Sequence, residues 1–237
     1  MKKLDFEQKS ILSAAYWRDA AMQLGDLRML CIAAVFVALR VAMKSLYIPV
    51  GENINVYFGY LINALGGMIY GPAVAAVAAA ASDTIGALVA QSAQGPYFFP
   101  FIFVEIAGSV IYSVFLWKRQ ISATRIILSK FFVTFVCNIL INPAVMIWYY
   151  NFLNNGKSYK FITIPRVVKN VATFPLESLF LCIFRSAILP IIVRMGLASK
   201  HQQKPQLKAR HYITLAVLFV VACAFVALYY FVYLPNK

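Results

Sequence analysis

The chain has 237 residues, of which 62% are hydrophobic and 13% charged, and its mean hydropathy is +0.75. Such an apolar excess excludes an ordinary soluble domain and marks a polytopic membrane protein. A net charge of +14 would suggest nucleic acid as the partner of a soluble protein; here it is better explained by how the chain sits in a membrane.

The N-terminal segment, residues 1–27, mixes Asp5, Glu7, Asp19 and Asp26 with basic residues. It has no apolar core or small-residue cleavage site of the kind a signal peptide needs, so it reads as a cytoplasmic, interfacial segment. Seven apolar segments then predict seven helices: Leu27 to Ile48, Val56 to Tyr70, Pro72 to Ala90, Phe98 to Trp117, Ile126 to Tyr150, Arg166 to Val193 and Tyr212 to Leu234. Each is compared with the ~20 residues that a spanning helix requires. The expected division is a membrane domain over 28–198, a basic cytoplasmic linker over 199–211 and an additional helix over 212–234.

Counting cations orients these helices. Lys2, Lys3, Lys9, Arg18 and Arg28 precede the first; Lys118, Arg119, Arg125 and Lys130 flank the turn after the fourth; Arg194, Lys200, Lys204, Lys208 and Arg210 follow the sixth. The alternate loops hold only Lys157 and Lys160, so the N-terminus is expected in the cytoplasm. Cys31, Cys137, Cys182 and Cys223 stand singly in apolar runs, and His201 and His211 fall in the basic linker. Neither set suggests a metal site, a cofactor or a catalytic group.

On the first helix Ala34, Ala38 and Ala42 recur every fourth residue and form one narrow stripe that permits close approach of another helix. Packing inside the chain's own bundle is the commoner use of such a stripe. Arg40 and Lys44 point roughly 120–160° away from it, towards either an interface or a polar cavity. The next two helices meet at Gly71-Pro72 and carry Asn63 and Asp83 within apolar surroundings. A carboxylate placed there is costly and asks for a function.

The sixth helix begins at Pro165, contains Pro175, and sets Arg166, Asn170, Thr173 and Glu177 on one face within ~60°, with Lys169 beside them. Such a row suits the wall of a polar pocket open at that end; the structural alternative pairs Glu177 with Arg185. Glu105, Asn138 and Asn142 are further polar groups in apolar runs. Aromatics near the loops, from Tyr97 to Phe99, Trp148 to Tyr150 and Tyr159, suit an interfacial belt, with one or two available to stack on a flat ligand.

These blocks resemble the S components of energy-coupling-factor vitamin transporters, and most closely the folate-specific ones. The matching residues are Ile48, Pro49 and Gly51; Phe58, Gly59, Asn63, Ala64 and Leu65; Gly71, Pro72 and Asp83; and Arg166, Lys169, Asn170, Pro175 and Glu177, within about residues 28–198. Ala75 and Ala79 stand where the family has glycines, and Glu105 where it has small or hydroxyl residues. The resemblance implies an all-α membrane protein: a six-helix S-component bundle, here with an extra C-terminal transmembrane helix. It implies a subunit of the bacterial cell membrane that captures a vitamin on the outer face, docks on a T component driven by two cytosolic ATPases, and delivers the ligand by tilting.

Under that resemblance Ala34, Ala38 and Ala42 would contact the T component, and folate would be the ligand. Glu177 or Asp83 would accept paired hydrogen bonds from the pterin, and Phe58 or Phe98 would stack on it. Arg40, Lys44, Arg166 or Lys169 would pair with the anionic glutamate tail. Asn53, Asn63, Glu105 and Asn170 complete the expected substrate-binding set. The chain has no GxxxxGK[ST] loop, so energy must come from partners. Other readings are an S component for a different flat micronutrient, an ion-coupled carrier, and a membrane enzyme; the last lacks a nucleophile–base arrangement.

Overall fold

Helix starts and breaks in this chain follow from local chemistry. The computed structural model describes residues 10–44, 46–51, 54–89, 98–120, 122–153, 160–161, 163–197 and 209–228. Helix α1 (Ala14–Met22) is capped by Ser13, whose Oγ accepts from the Ala15 amide. After a short 3₁₀ turn, the Asp26 carboxylate accepts from the Arg28 amide at 3.0 Å and opens α2 (Leu27–Lys44).

The first two apolar segments were expected to be helical through Ile48 and from Val56. Instead Tyr47–Gly51 (β1) and Ile54–Tyr57 (β2) pair antiparallel, Tyr47 with Tyr57 and Ile48 with Val56. Pro49 cannot sit in a helix interior, and the β-branched and aromatic residues favour an extended chain. The hairpin leads into α3 (Gly59–Val89), which breaks at Gly71 with φ 79° and ψ 177°. That backbone region is essentially restricted to glycine, and Pro72 then starts the second arm as it would start a helix.

The break makes α3 a helical hairpin. Down its first arm Asn63 bonds Ser109 of α4 (Phe101–Leu116) at 2.6 Å, Gly67 lies against Ser113, and Gly71 lies against Trp117. These contacts step together by four residues, so the first arm and α4 run side by side. The second arm returns until Asp83 meets Lys44, the last residue of α2, at 2.9 Å. Both ends of α3 therefore lie at the end of the bundle that carries the β-hairpin.

Ser122 caps α5 (Ala123–Val133). A π-helical stretch over Thr134–Ile141 continues it into α6 (Asn142–Leu153), with the Asn142 amide bonded five residues back to Cys137 and Pro143, which has no amide proton, following directly. Helix α7 (Ile164–Arg194) carries Pro165 in its first turn and Pro175 and Pro190 inside, and α8 (Ala209–Leu228) packs on it. The result is an all-α membrane fold with one small hairpin. Among the described residues, Ala123–Leu153 and Lys169–Arg194 are long and apolar enough to cross a membrane; Gly59–Val89 is as long and apolar but turns back at Gly71, and Phe101–Leu116 is a shorter apolar helix.

The core gathers Met29, Leu61, Tyr70, Val74, Tyr112 and Ile126 around α3. At the end opposite the hairpin, Tyr16 of α1 packs edge-on to Trp117, and Lys118 pairs with Asp19 at 3.0 Å. Burial pushes the Tyr16 phenol up to about 12, against a smaller lowering effect of Arg119. A Cβ at Gly71 would fall 2.6 Å from the Trp117 ring. Gly71→Ala should therefore cost at least ~2 kcal/mol and lower the unfolding temperature of the detergent-solubilised protein. Gly59→Ala, where nothing lies within 4 Å, should leave it unchanged.

Candidate functional site

Three intramembrane carboxylates organise the polar interior, each paired with a cation from another element. Arg40 donates to Glu105 at 2.7 Å and to Ser109 Oγ at 3.3 Å, and Ser109 in turn donates to Asn63. Arg40 is itself only 4% exposed, and this chain ties α2, α4 and the first arm of α3 together, with Glu105 its partly exposed member. Lys44 donates to Asp83 Oδ1. Gly86 makes room for it, since a Cβ there would approach the lysine stem to 2.9 Å. Asp83 Oδ2 is shielded and has no hydrogen-bond partner.

The third pair is one that the charge count misplaced. Lys130, read as a flanking residue of the turn after the fourth helix, is 3% exposed and pairs with Glu177 at 2.7 Å. It sits eight residues beyond Ser122, or roughly 12 Å into the helix, and its ammonium lies 4.3 Å from the centre of the Tyr60 ring. Tyr60 donates to the Glu177 backbone carbonyl at 3.2 Å. Lys130 thus does not belong in the topology count. Its position within the apolar run IILSKFFV carries the same signal of a costly intramembrane charge that singled out Asp83.

Nearer the hairpin end, Asn138 of the π-helical stretch donates to Asn170 at 2.9 Å, and Asn170 donates to the Arg166 carbonyl. Arg166 and Lys169 are half-buried, and Lys169 makes no ion pair among the described residues. The Arg40 and Glu177 clusters share one interior: a Cβ on Gly108 would lie 3.9 Å from Asn63 Nδ2 and 3.6 Å from Cys137 Sγ, between α3 and the π-helical stretch.

The two aromatics expected to stack on a ligand have protein partners. Phe58 meets Phe180 edge-on at 6.0 Å. Phe98 sits 8% exposed in a cluster with Phe101, Trp148, Tyr149 and Phe152, which ties the start of α4 to the end of α6. Asn53, Tyr97 and Tyr159 lie outside the described residues. Ala75 and Ala79, at family glycine positions, are 1% and 0% exposed. Ala34, Ala38 and Ala42 are all exposed, so the stripe on α2 is not used for packing within this chain. Among the described residues no group of histidines, cysteines and carboxylates could hold a metal ion.

No protein-family model matches the chain. It is 31% identical over 126 residues, spanning 53% of this chain and 69% of the relative, to the folate transporter FolT of Clostridium novyi (strain NT). The chain belongs to the FolT folate transporter family. It is also 29% identical over 154 residues, 64% of this chain and 81% of the relative, to FolT of Leuconostoc mesenteroides subsp. mesenteroides. Its structure is similar to the crystal structure of FolT bound with folic acid, with a TM-score of 0.53 and 24% identity over 64% of this chain and 88% of that one; this likeness shows the fold. The resemblance to the folate-specific S components stands, and the chain is a multi-pass membrane transport protein, not an enzyme.

The Lys130–Glu177 pair gives a direct test of how the interior is held. Lys130→Met leaves a buried carboxylate uncompensated and should cost ~3–5 kcal/mol, whereas removing both charges in Lys130→Met/Glu177→Leu should recover most of that loss. Unfolding of the four proteins of this cycle measures it; independent losses in the two single variants would show that the groups are not coupled.

Proposed function

We propose that this protein is the substrate-binding subunit of an energy-coupling-factor transporter that takes up folate. Membership of the FolT family supports the substrate, and the charge balance at the hairpin end supports the chemistry. Among the described residues Glu105, Asp83 and Glu177 are matched by Arg40, Lys44 and Lys130, so Lys169, which joins none of these pairs, leaves surplus positive charge at that end. Folate's glutamate tail carries two carboxylates and answers that surplus. This electrostatic surplus is the observation that carries the reading.

Within it, the pterin binds Asp83, whose Oδ2 is shielded and unpaired beside the Lys44 bond to Oδ1. Arg40, Lys44, Asn63 and Glu105 form the polar floor, and Arg166, Lys169 and Asn170 hold the tail. Phe58 and Phe98 border the entrance, and Asn53 completes the substrate-binding set. The binding domain is residues 28–198, the hairpin end faces outward, and the N-terminus faces the cytoplasm of a bacterial cell, as the distribution of cations supports. The exposed face of Ala34, Ala38 and Ala42 docks on a T component, which with two ATPases drives delivery by tilting. The last helix, α8, adds a further span.

Purified protein should bind folate with a Kd below about 1 µM by titration calorimetry; no binding in that range would overturn the ligand. Lys169→Gln should weaken folate about tenfold while leaving pteroate, which lacks the glutamate tail, unaffected. Asp83→Asn should weaken both. Ala34→Leu/Ala38→Leu should abolish co-purification of the T component and ATPases and leave the folate Kd unchanged; assembly that survives would remove this face from the docking surface.

A further inference from the structure

The end of the bundle opposite the hairpin holds a cavity of about 370 Å³ between the last turn of α4 and the first turns of α5. Its polar lining is Arg119, Ser122, Thr124 and Arg125, and its apolar lining includes Phe115 and Leu128. We propose that this cavity seats the phosphate of an anionic phospholipid, with the acyl chains lying along α4 and α5. The site is separate from folate binding and does not depend on that function.

Charge is the first argument. Two guanidiniums line one small cavity, and no acidic side chain lines it among the described residues, so an anion between them relieves their repulsion and gains from both. The second is an unsatisfied donor. Arg125 is only partly buried, but its Nη1 is shielded from water and has no hydrogen-bond partner, and a shielded donor of this kind costs free energy until an acceptor reaches it.

Backbone and hydroxyl donors add to this. Helix α5 begins in the cavity wall, so the positive end of its dipole faces the space, and Ser122 and Thr124 bring hydroxyls to it. The apolar half of the lining selects a lipid over a free ion. Leu128 is 45% exposed on the outside of α5, within an apolar span, so Leu128 and Phe115 continue the cavity into hydrocarbon. A basic pocket at the end of a spanning helix is where lipid phosphates lie.

Native mass spectrometry of the full chain, released from micelles containing equal phosphatidylglycerol and phosphatidylcholine, tests the proposal. The wild type should retain phosphatidylglycerol preferentially, and Arg119→Gln and Arg125→Gln should each reduce that retention about fivefold. Arg194→Gln, an exposed cation at the same end of the bundle, should leave it unchanged. Equal retention of the two lipids, or an equal loss in Arg194→Gln, would overturn the site. So would inorganic phosphate that displaces phosphatidylglycerol, because the cavity would then take a free ion. If the Arg125 variant fails to fold, the lipid ratio on the wild type and on Arg119→Gln decides.

Discussion

Pairing of buried charge is the constraint on which this bundle depends. A carboxylate or guanidinium in an apolar slab is tolerated only with an opposite charge held in good geometry, and here the partners always come from different elements. Arg40 and Glu105 join α2 to α4, Lys44 and Asp83 join α2 to the returning arm of α3, and Lys130 and Glu177 join α5 to α7. The charges thereby specify which helices are neighbours. Apolar packing, which lipid tails can satisfy almost as well, specifies this poorly.

That arrangement limits how a ligand can be read. A carboxylate saturated by a lysine cannot also accept two hydrogen bonds from a heterocycle without giving up part of its ion pair. Glu177 and Asp83 each give one oxygen to a lysine, Oε2 to Lys130 and Oδ1 to Lys44, and Asp83 Oδ2 is shielded and unpaired. The pair also depends on Gly86, whose missing Cβ lets the lysine stem pass. The Lys44–Asp83 pair is therefore incompletely satisfied.

Much of the fold was legible because its signals are local and strong. Apolar segment length located the helices, and Gly71-Pro72 located the break, since only glycine tolerates that backbone and proline starts a helix well. The hairpin was missed: a short run of β-branched and aromatic residues beside spanning helices looks like more helix until Pro49 is weighed. In the candidate site, Arg40 and Asp83 were found by the cost of burying charge. Lys130 was missed because proximity to a basic turn was allowed to outweigh its place inside an apolar run. The partners themselves were not legible, because pairing joins residues as far apart in sequence as Arg40 and Glu105.

Helix α2 shows how one element serves two environments. Its inward side carries Met29, Ala33 and Arg40, all buried, while Ala34, Ala38 and Ala42 are exposed. Close approach of helices inside the bundle is handled elsewhere, at Gly67 against Ser113 and Gly71 against Trp117. Small side chains on α2 are therefore not needed for internal packing, and against lipid they bury less surface than leucine would. A row of three such residues on the outer face costs contact area that the chain does not recover within itself. Such a row permits another helix to approach closely.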